Sequence, residues 1–139
     1  MSPKEYLMQY REAVRSYYAA QDHLKELRDM AERITPNYSA EGGGTHQSGD
    51  KLGAAVAKIL DAEARVDEEV ELLIAVEHEV TRAINKVKDA SLRTLLYERY
   101  INGKTWERIA VDMNYSYRGV TKMHGRALQA VKECIEVPT

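Results

Sequence analysis

Four side chains near one end of the chain could do chemistry together: Tyr117, Arg118, Thr121 and Lys122. All four can donate hydrogen bonds. If residues 116–132 form a helix, their spacing gathers them on one side of its first two turns. This set holds no nucleophile beside a base. It suits partners rich in acceptors, of which the O6/N7 edge of guanine, met by Arg or Lys, is the plainest case. Lys104, Thr105, Arg108, Ser116 and Arg126 flank the set, with the cations and hydroxyls that hold phosphate oxygens. Elsewhere the chemistry is thin. His23 and His78 stand singly on charged segments, and His46 has no Cys or second His at ligand spacing. Cys134 is the lone cysteine and reads as a small core residue in a reducing compartment. No Gly-rich phosphate loop or nucleophile–base spacing occurs, so the expectation is a non-enzyme with no catalytic residue, metal or cofactor.

The charge distribution agrees with that placement. Residues 1–88 hold 12 Lys/Arg against 16 Asp/Glu, whereas residues 91–132 hold 8 against 3, within a net charge of −2 overall. An acidic front and a basic back confine any nucleic-acid contact to the C-terminal part.

The elements that must position these residues are legible from 91 onward. Ser91 is the expected cap of a helix burying Leu92, Leu95, Leu96 and Tyr100, with Arg93, Glu98 and Arg99 outward. Gly103 falls where a helix end favours a left-handed residue. Thr105 caps a short helix over 105–113, with Trp106, Ile109, Ala110 and Met113 inward. Asn114-Tyr115 is the turn, and Ser116 caps the next helix, whose inner face is Val120, Met123, Ala127 and Val131. Helix, tight turn and basic helix outline a helix-turn-helix, in which the second helix enters the major groove of double-stranded DNA. Tyr117, Arg118, Thr121 and Lys122 are then the base readers, and Lys104, Thr105, Arg108, Ser116 and Arg126 the phosphate contacts. Gly119 and Gly125 each cost that helix about 1 kcal/mol relative to Ala, which close approach of DNA or of a neighbouring helix would explain.

The front of the chain predicts two long helices. Ser2-Pro3 opens the first, and a stripe runs Tyr6, Tyr10, Ala13, Tyr17, Ala20, Leu24, Leu27, Ala31, Ile34, at a mean spacing of 3.5 residues. Ile34-Thr35-Pro36 is the expected stop, because the residue before proline is pushed out of helical geometry. Residues 37–50 are polar and Gly-rich and read as a flexible loop. A second seam runs Leu52, Val56, Ile59, Ala62, Val66, Val70, Leu73, Val76, Val80, Ala83, Val87. The two would fold back as an antiparallel, coiled-coil-like hairpin over 1–88, followed by the helix-turn-helix over 89–139, in an all-α protein. Extra apolar residues beside the seams, such as Leu7, Met30, Leu60, Leu72 and Ile74, favour self-association as a dimer or tetramer. The acidic run Asp67-Glu68-Glu69 with Glu71 reads as a solvated face. No membrane-length apolar run or signal-like stretch is present, which predicts a cytoplasmic protein without a membrane partner.

The stretch RYINGKTWERIAVDMNYSYRGVTKMHGRAL, residues 99–128, resembles the C-terminal region 4 of the sigma-70 family. The resemblance rests on Arg99-Tyr100, Gly103, Thr105 to Ile109-Ala110, Ser116 to Val120, and Ala127-Leu128. It implies that Tyr117, Arg118, Thr121 and Lys122 read a promoter element, that Arg126 touches the DNA backbone, and that RNA polymerase is a second partner. The whole-chain layout is similar to small regulators of phages and prophages of Gram-positive bacteria, including the ArpU/RinA-type late-gene activators. Nothing resembles the strand-melting region of a full sigma factor, so the implied role is a promoter-binding transcription regulator. Two alternatives share the layout: a phage small terminase subunit, which would form a closed ring of about eight or more copies, and an interaction module that touches only protein.

Overall fold

The computed structural model describes the backbone of residues 1–40 and 46–135, and the side chains of residues 1–34 and 49–135. The protein is all-α: α1 is Pro3–Ala40, α2 His46–Asn85, α3 Ala90–Leu96, a π-helical turn Tyr97–Ile101, α4 Trp106–Met113 and α5 Tyr117–Ile135. No strand occurs among the described residues, and no helix is long and apolar enough to cross a membrane. The chain forms two compact units, one of Met1–Val14 with Leu73–Thr139 and one of Arg15–Leu72.

The first unit is larger than the 89–139 stretch. Ser2 and Glu5 cap α1 reciprocally: the Ser2 hydroxyl accepts from the Glu5 N–H at 3.1 Å, and the Ser2 N–H donates to Glu5 Oε2 at 3.4 Å. Leu7 on α1 and Val80, Ile84 and Val87 near the end of α2 share one buried core with Leu95, Leu96, Tyr100, Ile109, Val120, Ala127 and Val131. Leu7 thus sits in the core, although the repeat places it beside the seam. Between α2 and α3 the cap is Asp89, whose Oδ1 accepts from the Leu92 N–H at 3.1 Å; Ser91, the expected cap, lies inside α3. Aspartate caps as well as serine, and the earlier start leaves the buried face of α3 unchanged. Arg93 does not point freely outward. Its Nη1 donates to the carbonyls of Val87 and Lys88, both at 2.8 Å, satisfying acceptors that the break between helices releases.

α3 widens into the π-helical turn, marked by the Asn102 N–H donating to the Tyr97 carbonyl. Leu95, Leu96 and Tyr100, from α3 and this turn, all reach the core. The chain then reverses at Gly103, with φ of 71°. A Cβ there would lie 2.6 Å from the Arg11 guanidinium, which itself donates to the Ile101 carbonyl at 3.1 Å. The positive φ favours glycine at this position; the guanidinium, at the end of a flexible side chain, could move aside from a Cβ.

In the second unit Arg28 pairs with Glu63 at 2.9 Å. Each residue lies more than ten positions from the nearer described end of its helix, so the pair brings the middle parts of α1 and α2 side by side. Leu24 and Ala62 are buried, flanked by half-buried Tyr17, Ala20, Leu27, Ile59 and Val66. Four expectations are corrected. α1 does not stop at Ile34-Thr35-Pro36 but runs to Ala40; proline's own φ is helical, and near a helix end it forfeits little beyond one N–H bond. α2 starts at His46, so of the expected loop 37–50 residues 37–40 and 46–50 are helical, while residues 41–45 and the side chain of His46 lie outside the described residues. Val56 is 45% exposed because the buried stripe passes through Leu52, Ala55 and Ile59. Glu69 is buried, not solvated: Arg65 Nε donates to its Oε1 at 2.9 Å, and Oε2 has no partner among the described residues.

Candidate nucleic-acid interface

Local sequence builds the two helices that carry the candidate residues. Thr105 is extended (φ −71°, ψ 159°), and its hydroxyl oxygen accepts from the Arg108 N–H at 3.2 Å, starting α4. α4 ends at Asn114, which takes a left-handed conformation at φ 59°, one that asparagine tolerates better than most residues. The Ser116 hydroxyl then accepts from the Gly119 N–H at 2.9 Å and starts α5. A Cβ at Gly119 would lie 3.1 Å from that oxygen, so a larger residue there would push the cap aside by a few tenths of an ångström. Nothing in the chain lies within 4 Å of a Cβ built on Gly125.

The inner side of α5 is Val120, Met123, Ala127 and Val131, all buried, and on α4 Ile109 and Ala110 are buried. This burial fixes the rotation of α5 and leaves Tyr117, Arg118, Thr121, Lys122, Gly125, Arg126 and Gln129 exposed. The side chains of Arg118, Lys122 and Arg126 make no hydrogen bond or ion pair among the described residues. Thr121 differs: its hydroxyl donates to the Arg118 carbonyl at 2.9 Å, so it presents its methyl group and oxygen lone pairs outward.

The α4 side is arranged otherwise. Lys104 Nζ bonds both Glu98 and Asp112, the latter at 2.9 Å, and Arg108 Nε lies 3.1 Å from Asp112 Oδ1. The Lys104 ammonium holds the Glu98 and Asp112 carboxyls below their usual range, and those carboxylates hold Lys104 charged to higher pH. Two cations and two anions thus neutralise one another where phosphate contacts were expected. The hydroxyls of Thr105 and Ser116 use their oxygens as caps, and each proton remains free to donate. No protein-family model matches this chain, and neither does any curated protein or any solved structure.

Sequence reasoning missed the cluster behind this surface. His124 Nε2 lies 2.6 Å from the Tyr100 hydroxyl, its ring is 4.4 Å from that of Trp106, and the Arg99 guanidinium covers Trp106 at 4.6 Å. Arg99, expected outward, also donates to the Lys104 carbonyl at 2.9 Å. The available signal was the i, i+4 step from Val120 to His124, which puts His124 at the edge of the inner face. Burial pushes the imidazole down to about 4, helped by the charges of Lys4 and Arg99, and pushes the Tyr100 phenol up to about 12. A neutral imidazole accepting from the phenol satisfies both groups.

The linkage has a definite sign. The folded value lies below the ordinary 6.5, so the contribution of His124 to stability is complete above pH 6.5 and is lost as pH falls toward 4. After discounting for partial exposure, the loss between pH 6.5 and 4.5 is expected to be about 1–2 kcal/mol. Urea unfolding across that range should show it, and His124→Gln should flatten the dependence. An equally steep dependence in that variant would assign the loss to other groups.

Proposed function

We propose that the protein binds double-stranded DNA in a sequence-dependent way, with the first two turns of α5 in the major groove, and regulates transcription from the element it reads. One observation carries this reading: Arg118, Lys122 and Arg126 line the exposed side of α5 with no hydrogen bond or ion pair among the described residues, while the opposite side is locked in the core. Leaving three cations exposed and unpaired on a helix whose inner face is well packed favours an anionic partner. A helix with side chains is about 10–12 Å across, which fits a major groove about 12 Å wide. Tyr117, Arg118 and Thr121 would face base edges, with Lys122 at the boundary between bases and backbone. Thr121, its proton engaged within the helix, suits a thymine methyl or a base donor. The open space at Gly125 leaves room for DNA to come close to the helix.

The resemblance of residues 99–128 to sigma region 4 makes a promoter element the expected target and RNA polymerase the expected second partner. Self-association as a dimer or tetramer would place two α5 helices on two half-sites. Selection of bound sequences from a random DNA pool tests the reading. Enrichment of one motif is expected, with half-sites near 10 base pairs apart for a dimer. A pool left unenriched, with no duplex bound at low salt, would sink it.

A further inference from the structure

The α5 surface has two flanks, and they are not equivalent. Toward α4, Lys104 and Arg108 are committed to Glu98 and Asp112. Toward the start of α3 lies a concavity of about 390 Å³ whose lining includes Lys122 and Arg126, the hydroxyl residues Ser91 and Tyr115, and Asp89. Lys122 and Arg126 are one turn apart on α5, about 6 Å along its axis, and neither is ion-paired among the described residues.

We infer that this concavity, and not the α4 flank, seats the phosphate backbone of the bound DNA, with Lys122 and Arg126 as its cations and Ser91 and Tyr115 as neutral donors. The inference rests on the DNA-binding reading and adds to it the path of one strand. It also removes Lys104 and Arg108 from the phosphate contacts, because recruiting either would break pairs to carboxylates that then face the DNA bare. Asp89 gives the concavity an unusual property. Its Oδ1 caps α3 through the Leu92 N–H, yet its charge opposes any phosphate seated beside Lys122 and Arg126. Asp89 therefore tempers non-specific backbone affinity, so that binding depends more on the base contacts of α5.

The test measures the affinity of the full chain for a duplex of about 30 base pairs, labelled with fluorescein, as a function of salt. Asp89→Asn keeps the cap, since asparagine caps as well as aspartate, and removes the charge. It is expected to tighten binding about threefold at low salt, the effect of one unit charge roughly 7 Å from a phosphate in water. Arg126→Gln should lower the slope of log affinity against log salt by about 0.9, and Arg108→Gln should leave that slope unchanged. An Asp89→Asn variant that melts like the parent but binds DNA no more tightly overturns the inference, as does a slope lowered by Arg108→Gln and not by Arg126→Gln. Failure of the parent chain to bind any duplex would instead remove the DNA-binding reading on which the inference stands.

Discussion

Replacing both Arg118 and Lys122 with alanine is expected to cost about 2–4 kcal/mol of affinity for the selected DNA site, about 1–3 kcal/mol for the base contact of Arg118 and about 1 kcal/mol for the phosphate contact of Lys122 near 0.1 M salt. Each 1.4 kcal/mol is about tenfold, so the loss runs from roughly thirtyfold to roughly a thousandfold. The single variants should differ in kind. Arg118→Ala relaxes base preference at one position, whereas Lys122→Ala weakens all duplexes alike and lowers the salt dependence. Stability should change by less than about 0.5 kcal/mol, because both side chains are exposed and make no hydrogen bond or ion pair among the described residues. Fluorescence anisotropy titrations beside urea unfolding separate the two effects. Parental affinity in the double variant would move the recognition surface off α5.

The largest loss of stability is expected at Tyr100. It is 1% exposed, sits in the shared core and holds His124 at 2.6 Å. Tyr100→Ala removes a buried ring and should cost about 3–5 kcal/mol, as large-to-small changes of aromatic residues do. Tyr100→Phe separates the hydroxyl from the ring: it leaves the imidazole nitrogen without its donor and should cost about 1–3 kcal/mol. Urea unfolding reads both. If Tyr100→Phe proved neutral, the phenol–imidazole bond would contribute nothing net, and the His124 ring would be held by packing against Trp106 and the ring at position 100.

Much of the architecture was readable because it depends on short-range rules. The inner face of α5 follows from the spacing of Val120, Met123, Ala127 and Val131, and the Thr105 and Ser116 caps from their place before apolar-periodic stretches. Gly103 and Asn114 stand at the positions that adopt positive φ. The misses share a different cause. Asp89 and Ser91 are equally good caps two residues apart, and only the surrounding packing chooses between them. Glu69 lies beside a seam of spacing 3.5, where rotation by a fraction of a turn decides between burial and solvent. The Lys104–Asp112 and Arg108–Asp112 pairs join residues that composition alone would assign to a basic surface. His124, Tyr100 and Trp106 meet from three separate elements, which no local pattern reports.

The participation of Leu7 in this core bears on how the C-terminal helices could be inherited. Leu7 is fully buried among residues of the α3–α5 region, and Arg11 braces the turn at Gly103 from the other end of the chain. A gene segment encoding only residues 89–139 would carry the recognition surface without Leu7, Val80, Ile84 and Val87, four of the side chains it is built on. Recombination could therefore not shuffle that segment as a self-sufficient cassette. The codons for these two stretches would have to travel together, and a change at Leu7 or Arg11 would be felt at α5, more than a hundred codons away.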